Sequence, residues 1–150
     1  MDPAEAVAAG STQLVTDSLF VEGAHPMSFL RHMASRPRGL WARGDDWLAH
    51  AGAVQTLRAP DDVDRFSWIW EQVARLSEGV DSSAPPLRLF GGFSFLSQHQ
   101  AEGLWVDFPS ALFHLPEFEL LGTEGGGVLR GCAVVGPDSD SDVVRIRLKR

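Results

Sequence analysis

Two stretches decide the fold class of this chain: residues 85–95, Pro-Pro-Leu-Arg-Leu-Phe-Gly-Gly-Phe-Ser-Phe, and residues 105–116, Trp-Val-Asp-Phe-Pro-Ser-Ala-Leu-Phe-His-Leu-Pro. A polar loop separates the two stretches. A period of two is typical of a β-strand, and two such strands joined by a loop favour an antiparallel pair. The alternating positions of the first stretch are apolar or glycine: Leu87, Leu89, Gly91, Phe93 and Phe95.

The same periodicities, followed outward along the chain, predict about seven strands and two helices. Short connections between the strands favour a mostly antiparallel sheet with two helices packed on it, which is the α+β class. Residues 1–11 are expected to form a flexible amino terminus and residues 12–150 a single α+β domain. The predicted helices cover residues 26–35 and 61–78, and the predicted strands cover residues 13–21, 40–43, 47–57, 87–95, 111–120, 128–135 and 143–149.

The longer predicted helix has the clearest pattern. Asp61 is expected to cap its amino terminus and Gly79 to follow its last residue. Trp68 and Trp70 are expected to dock this helix on the sheet. Its apolar residues follow the three- and four-residue spacing of a buried helix face: Val63, Phe66, Ile69, Trp70, Val73 and Leu76.

Two features interrupt the predicted strands. Gly91 and Gly92 lie inside a strand pattern, which favours a close approach by another backbone; direct contact with a ligand is the alternative. The phase of the apolar residues changes at Pro116, which predicts a bulge or an edge position there.

The residue types that carry chemistry show no catalytic arrangement. None of the five histidines forms an HxxxH or HxH pair or lies near Cys132, which argues against a zinc site. Cys132 is expected to be a buried, inert thiol. His114 is expected to face away from Phe113 and Leu115 as a satisfied structural histidine. With no GxSxG segment and no phosphate-binding loop, no catalytic, cofactor-binding or metal-binding residue is predicted.

Composition narrows the possible partners. The net charge is −7 and the pI is about 5.1, so nucleic acid is not an expected partner. No run approaches the roughly 20 apolar residues of a membrane helix. The acidic start of the chain does not resemble a secretory signal, and a single cysteine suits a reducing compartment. A cytoplasmic location is therefore expected.

Three segments carry a resemblance to a known enzyme family. Gly91-Gly92-Phe93-Ser94-Phe95 resembles the GGFAF segment of isochorismate synthases, which are chorismate-utilising enzymes. Residues 105–116 resemble the family's W-x-G-F-P-x-A-x-F-x-L-P stretch, with Asp107 in place of the usual glycine. Residues 40–52 are similar to an early hairpin of the family. The motif residues, taken as structural, are Gly91, Gly92, Phe93, Phe95, Trp105, Phe108, Pro109, Leu115 and Pro116.

The resemblance implies a complete enzyme that converts chorismate to isochorismate with Mg²⁺, in menaquinone or siderophore biosynthesis. That chemistry needs a lysine base, a glutamic acid and two metal-binding carboxylates, which in the family follow this region. Lys149, the only lysine, is not in the frame of the family's base. The chain is therefore expected to be the non-catalytic amino-terminal portion of the enzyme's α/β sandwich, inactive alone and binding no Mg²⁺.

Two alternatives remain open at this point. The chain could be a stand-alone binding or regulatory module derived from that fold, or the amino-terminal part of a salicylate or anthranilate synthase. Phe93 and Phe95 stand where tyrosines are expected in the anthranilate branch, which weighs against that branch. The expected protein partner is a carboxy-terminal catalytic half, or a second copy that pairs through exposed sheet edges.

Overall fold

The computed structural model of the chain describes residues 13–78, 80, 86–96, 102–105 and 107–136, so the expected flexible amino terminus and the strand expected at 143–149 lie outside the described residues. The α+β class is confirmed, with antiparallel strands and two helices. The elements are β1 (Gln13–Glu22), α1 (Pro26–His32), β2 (Arg38–Arg43), β3 (Asp46–Ala51), β4 (Gln55–Arg58), α2 (Arg65–Ser77), β5 (Phe90–Phe93), a 3₁₀ turn (Gly103–Trp105), β6 (Ala111–Leu115), β7 (Phe118–Thr123) and β8 (Gly126–Val135).

The strands form two antiparallel sheets in the described part of the chain. The large sheet has the order β1-β8-β7-β3-β2, and the small sheet has the order β4-β6-β5. β7 and β8 are consecutive and turn at Gly125, whose φ is +78°. β1 lies against the whole length of β8, from Gln13 opposite Val135 to Glu22 opposite Gly126. The first strand is therefore held to the sheet by a strand more than a hundred residues away.

The predicted strand over residues 47–57 is wrong at Gly52, where the chain leaves the large sheet. Gly52 has a φ of +71°, which glycine adopts without the penalty that a side chain brings. Its N–H donates to the Pro37 carbonyl oxygen over 2.8 Å, and the Val54 N–H donates to the Leu115 carbonyl oxygen over 2.9 Å. These bonds end β3 and begin β4, so the two halves of the predicted strand belong to different sheets.

The phase change at Pro116 has a different cause from the predicted bulge or edge. Leu115 ends β6 in the small sheet, whereas Phe118 begins β7 in the large sheet. Leu115 and Pro116 are both less than 2% exposed. The Cys132 N–H donates to the Glu117 carbonyl oxygen over 2.8 Å, which starts the pairing of the new strand. The crossing point between the sheets is therefore part of the core.

The core consists of two clusters. One lies between α2 and the small sheet and the other joins residues of both sheets; burying each large aliphatic side chain contributes about 1.5–3 kcal/mol. Trp68 packs against the first cluster as predicted, but Trp70 is 73% exposed and docks nothing. The first cluster contains Leu57, Ala59, Ile69 and Ala111, and the second contains Leu14, Leu115 and Cys132.

Both helices begin or end differently from the prediction. Asp64, rather than Asp61, caps α2, since its carboxylate accepts a hydrogen bond from the Ser67 N–H over 3.1 Å. Hydrogen bonds from Ser67 lower the pKa of the Asp64 carboxyl. α1 ends at His32, three residues earlier than predicted, because Met33 leaves the helical conformation. No helix in the described residues is long and apolar enough to cross a membrane.

Candidate functional site

The β5–β6 pair borders a cavity of about 730 Å³. Seven of the nine motif residues of the two family-like segments line it. The other two, Leu115 and Pro116, lie in the core. The lining consists of Gly91, Gly92, Phe93, Ser94, Phe95, Leu96, Trp105, Phe108, Pro109, Leu112 and His114.

Exposed aromatic rings form the walls of this cavity. Phe95 is 99% exposed, Trp105 62% and Phe108 54%. The Trp105 and Phe108 rings meet edge to face with their centroids 5.4 Å apart, and the Phe108 N–H donates to the Trp105 carbonyl oxygen over 2.9 Å. Apolar patches of this kind on a folded protein mark binding surfaces. The predicted strand over residues 87–95 is too long at both ends, because β5 covers only Phe90–Phe93 and Phe95 lies beyond it.

The two adjacent glycines have different surroundings. A Cβ on Gly91 would collide with the Leu112 carbonyl oxygen and would lie 2.7 Å from Phe113 Cα. Gly91 therefore has the close backbone approach that its strand position predicts. A Cβ on Gly92 would meet no atom within 4 Å. The absence of a side chain at Gly92 leaves open space in the cavity.

His114 is the one histidine among the described residues of the lining. Its Nδ1 lies 3.0 Å from Thr56 Oγ1, on the neighbouring strand β4. Phe113 packs against the cluster under α2, while His114 lines the cavity, so the two side chains lie on opposite faces as predicted. Nδ1 is thus satisfied, as a structural histidine requires, whereas Nε2 has no hydrogen-bond partner among the described residues.

A buried arginine ties the end of β5 to α2. Arg65 is 7% exposed, and its Nη1 donates to Ser94 Oγ over 2.7 Å and to the Leu96 carbonyl oxygen. Its guanidinium also lies over the Phe66 ring, 4.9 Å from the centroid. Ser94 Oγ donates in turn to the Leu96 carbonyl oxygen over 2.7 Å. The single hydroxyl of the cavity lining is therefore engaged in holding the loop.

A charged cluster, formed by Glu119, Arg130 and Arg88, lies between the sheets and was missed by the sequence patterns. Glu119 and Arg130 are opposite each other on β7 and β8 and are 3% and 4% exposed. Glu119 Oε2 accepts from Arg130 Nη2 over 2.9 Å, and Glu119 Oε1 accepts from Arg88 Nη1 over 2.5 Å. Arg130 Nη1 donates to the Pro86 carbonyl oxygen over 3.0 Å. The cluster fixes the segment that leads into β5.

His50 extends this cluster across the large sheet. It lies opposite Glu119 in the pairing of β3 with β7, and its ring stacks on Phe90 with centroids 3.8 Å apart. On its other side, Gly39 leaves the room that a Cβ would take from the imidazole. Burial lowers the pKa of His50; the nearby Glu119 carboxylate acts in the opposite direction and His114 in the same direction. His50 is thus a neutral ring between the sheets.

The described residues offer positioning rather than acid–base or metal chemistry. Both Glu119 oxygens are bound by arginines, and no three His, Cys, Asp or Glu side chains converge in the described ranges. Mg²⁺ therefore does not fit among these residues, although the absence of metal binding stays a prediction for the whole chain. Cys132 is 2% exposed and burial raises the pKa of its thiol to about 11, as expected for an inert cysteine.

Comparison with known proteins adds one finding. A family model described as "Chorismate binding enzyme" matches residues 3–150. No curated protein matches the sequence.

Proposed function

The chain belongs to the chorismate binding enzyme family, and from this membership we propose that it forms the non-catalytic amino-terminal portion of an isochorismate synthase. The complete enzyme would convert chorismate to isochorismate with Mg²⁺. Members of the family are enzymes that use chorismate, so the family supports the substrate class. The specific reaction rests on the GGFSF and Trp-to-Pro segments that resemble isochorismate synthases.

One observation carries the proposal. Residues of both segments line a single cavity, although Phe95 and Trp105 are ten positions apart in the sequence. Segments that resemble a family at separate places in a sequence, and that then form one feature of the structure, support a shared architecture. The buried Glu119 carboxylate, in contrast, is engaged by Arg88 and Arg130.

The proposed role of this portion is to hold and cover the catalytic portion. Phe20 and Trp41 are 58% and 55% exposed, and they lie on β1 and β2, the edge strands of the large sheet in the described part of the chain. Edge strands and exposed apolar side chains are surfaces that another part of a protein covers. We propose a cytoplasmic enzyme of menaquinone or siderophore biosynthesis, in which residues 12–150 fold as one domain. Self-association through the same edges is the alternative partner.

Turnover assays test the proposal at two levels. The purified chain, given chorismate and Mg²⁺, should produce no isochorismate above the no-enzyme control in an assay coupled to isochorismatase. Turnover by the chain alone would contradict the assignment as a non-catalytic portion. The gene that encodes this chain, expressed in full, should yield isochorismate. Salicylate or anthranilate as the product would instead place the protein in another branch of the family.

A stand-alone binding module is the second candidate, and the cavity beside β5 is the observation that favours it. The two candidates differ in how the isolated chain behaves. A portion that lacks its partner should bind a hydrophobic dye or self-associate, because its aromatic surface is uncovered. A self-contained module should be a dye-negative monomer by light scattering.

A further inference from the structure

The described lining of the cavity beside β5 is almost wholly apolar. Its walls are the exposed rings of Phe95, Trp105 and Phe108, and none of the described residues that line it is an acid, a lysine or an arginine. The Ser94 hydroxyl is already bound to the Leu96 carbonyl oxygen. An anion that entered this space would lose its hydration and find no cation among the described lining residues, which is costly. The lining chemistry therefore favours a neutral ligand.

The size and shape of the cavity narrow the class of ligand further. A volume of about 730 Å³ lies within the range of roughly 300–1,000 Å³ that small-molecule sites occupy. The space beside Gly92 is free of other atoms to 4 Å, so a flat group can lie against the strand there. Aromatic walls prefer offset stacking or edge-to-face contact with another ring. A planar ring system meets both conditions better than a branched aliphatic group does.

One polar group in the lining has unused capacity. His114 Nδ1 is paired with the Thr56 hydroxyl, and Nε2 has no hydrogen-bond partner among the described residues. Because the Thr56 hydroxyl can either donate or accept, His114 can adopt either neutral tautomer. Nε2 can thus accept from, or donate to, a hydroxyl on the ligand.

We propose that this cavity binds a neutral, planar, ring-bearing small molecule whose single hydroxyl pairs with His114. The proposal goes beyond the proposed function, because such a ligand is not the dianion chorismate.

Isothermal titration calorimetry of the full chain tests the proposal, with 2-naphthol as the neutral probe and 2-naphthoate and chorismate as anionic probes. We expect 2-naphthol to bind with one-to-one stoichiometry, and both anions to bind at least about tenfold more weakly because of their desolvation. Gly92→Leu should abolish binding by filling the space beside the strand. His114→Phe should weaken 2-naphthol about tenfold, the scale of one lost hydrogen bond, with little effect on 2-methylnaphthalene, which has no hydroxyl.

The control for the binding experiment is a variant outside the cavity, and the second test variant lies in its wall. Trp70→Ala removes a ring that is 73% exposed on α2 and does not line the cavity, so 2-naphthol affinity should be unchanged. Trp105→Ala removes an exposed wall ring and serves as a second variant if Gly92→Leu melts at a lower temperature. The proposal is overturned by absent saturable binding, by unchanged affinity in Trp105→Ala, or by chorismate binding more tightly than 2-naphthol. Because no outcome depends on turnover, failure here leaves the proposed function standing.

Discussion

Soluble proteins usually bury apolar side chains and expose charged ones. The charged cluster around Glu119 and the aromatic cavity beside β5 show the reverse. In the cluster, the buried Glu119 carboxylate pairs with the buried Arg130 and with the part-exposed Arg88. At the cavity, Phe95 and Trp105 are exposed to solvent. Soluble proteins bury charges mainly as pairs, whereas exposed apolar patches mark recognition. The charges of the first region are thus paired within the chain, whereas the rings of the second are open to solvent.

The largest expected effect is the loss of the carboxylate at the centre of the charged cluster. Glu119→Ala leaves Arg130 buried beside a second cation, and breaking a buried pair in this way costs about 3–5 kcal/mol of unfolding free energy. Urea titration measures the loss. Glu117→Gln is the matched control, since Glu117 pairs with Arg36 at a part-exposed site and should cost no more than about 1 kcal/mol. Equal effects of the two variants would contradict the view that the buried pairs of Glu119 stabilise the fold more than a part-exposed ion pair does.

The next largest effect is a difference in stability between substitutions at Gly91 and at Gly92, the adjacent glycines of β5. Gly91→Ala forces a methyl group against the backbone of β6 and should cost about 2–3 kcal/mol. Gly92→Ala enters open space and should change stability by no more than about 0.5 kcal/mol. Thermal or urea unfolding of both variants decides the point. The sequence pattern alone predicts equal harm at the two positions, and two equally damaged variants would contradict the structure.

A smaller effect is expected at Phe93, which lies at the boundary between the core and the cavity. Its ring contacts Phe66 and Phe113, with centroids 4.5 Å and 4.9 Å away, but it is 39% exposed. Phe93→Ala should therefore cost about 1–2 kcal/mol, less than the 3–5 kcal/mol of a fully buried phenylalanine. Phe95→Ala, at the exposed wall, should cost no more than about 0.5 kcal/mol. A large loss from Phe95→Ala would show that the cavity wall is part of the core.

The smallest effect concerns pH and the neutral imidazole of His50. Burial lowers the pKa of His50 below 6.5, so the unfolded chain takes up the proton first as pH falls. The unfolding free energy should therefore fall as pH drops through 6.5, until the folded protein is protonated too. His50→Gln should flatten this part of the pH profile relative to the parent, while His32→Gln, at an exposed position of α1, should not. A His50→Gln profile parallel to that of the parent would contradict the lowered pKa of this half-buried ring.

Some elements could be predicted because their signals are local. The helical spacing around Ile69 survives in part: Ile69 is buried and Val73 and Leu76 pack against its cluster, whereas Phe66 and Trp70 on the predicted face are 48% and 73% exposed. Leu87 and Leu89 pack against the core, although β5 begins only at Phe90. The burial of Cys132 follows from its small neighbours in β8, Gly131 and Ala133. The sequence predicts Asp61 as the cap of α2, three residues before the observed cap, Asp64. Several aspartates precede the helix, and each can accept the same kind of hydrogen bond.

Periodicity and short motifs act over a few neighbouring residues, so the sequence indicated both helices, most strand segments and the resemblance to the chorismate-utilising family. The division of the predicted strand 47–57 between two sheets and the burial of Glu119 depend instead on tertiary packing. On an isolated strand, a charged residue that alternates with apolar ones looks like part of a solvated face. Whether Glu119 contacts water or pairs with Arg88, 31 positions earlier, depends on how the sheets pack. A local sequence pattern carries no information on a contact between residues so far apart in the chain.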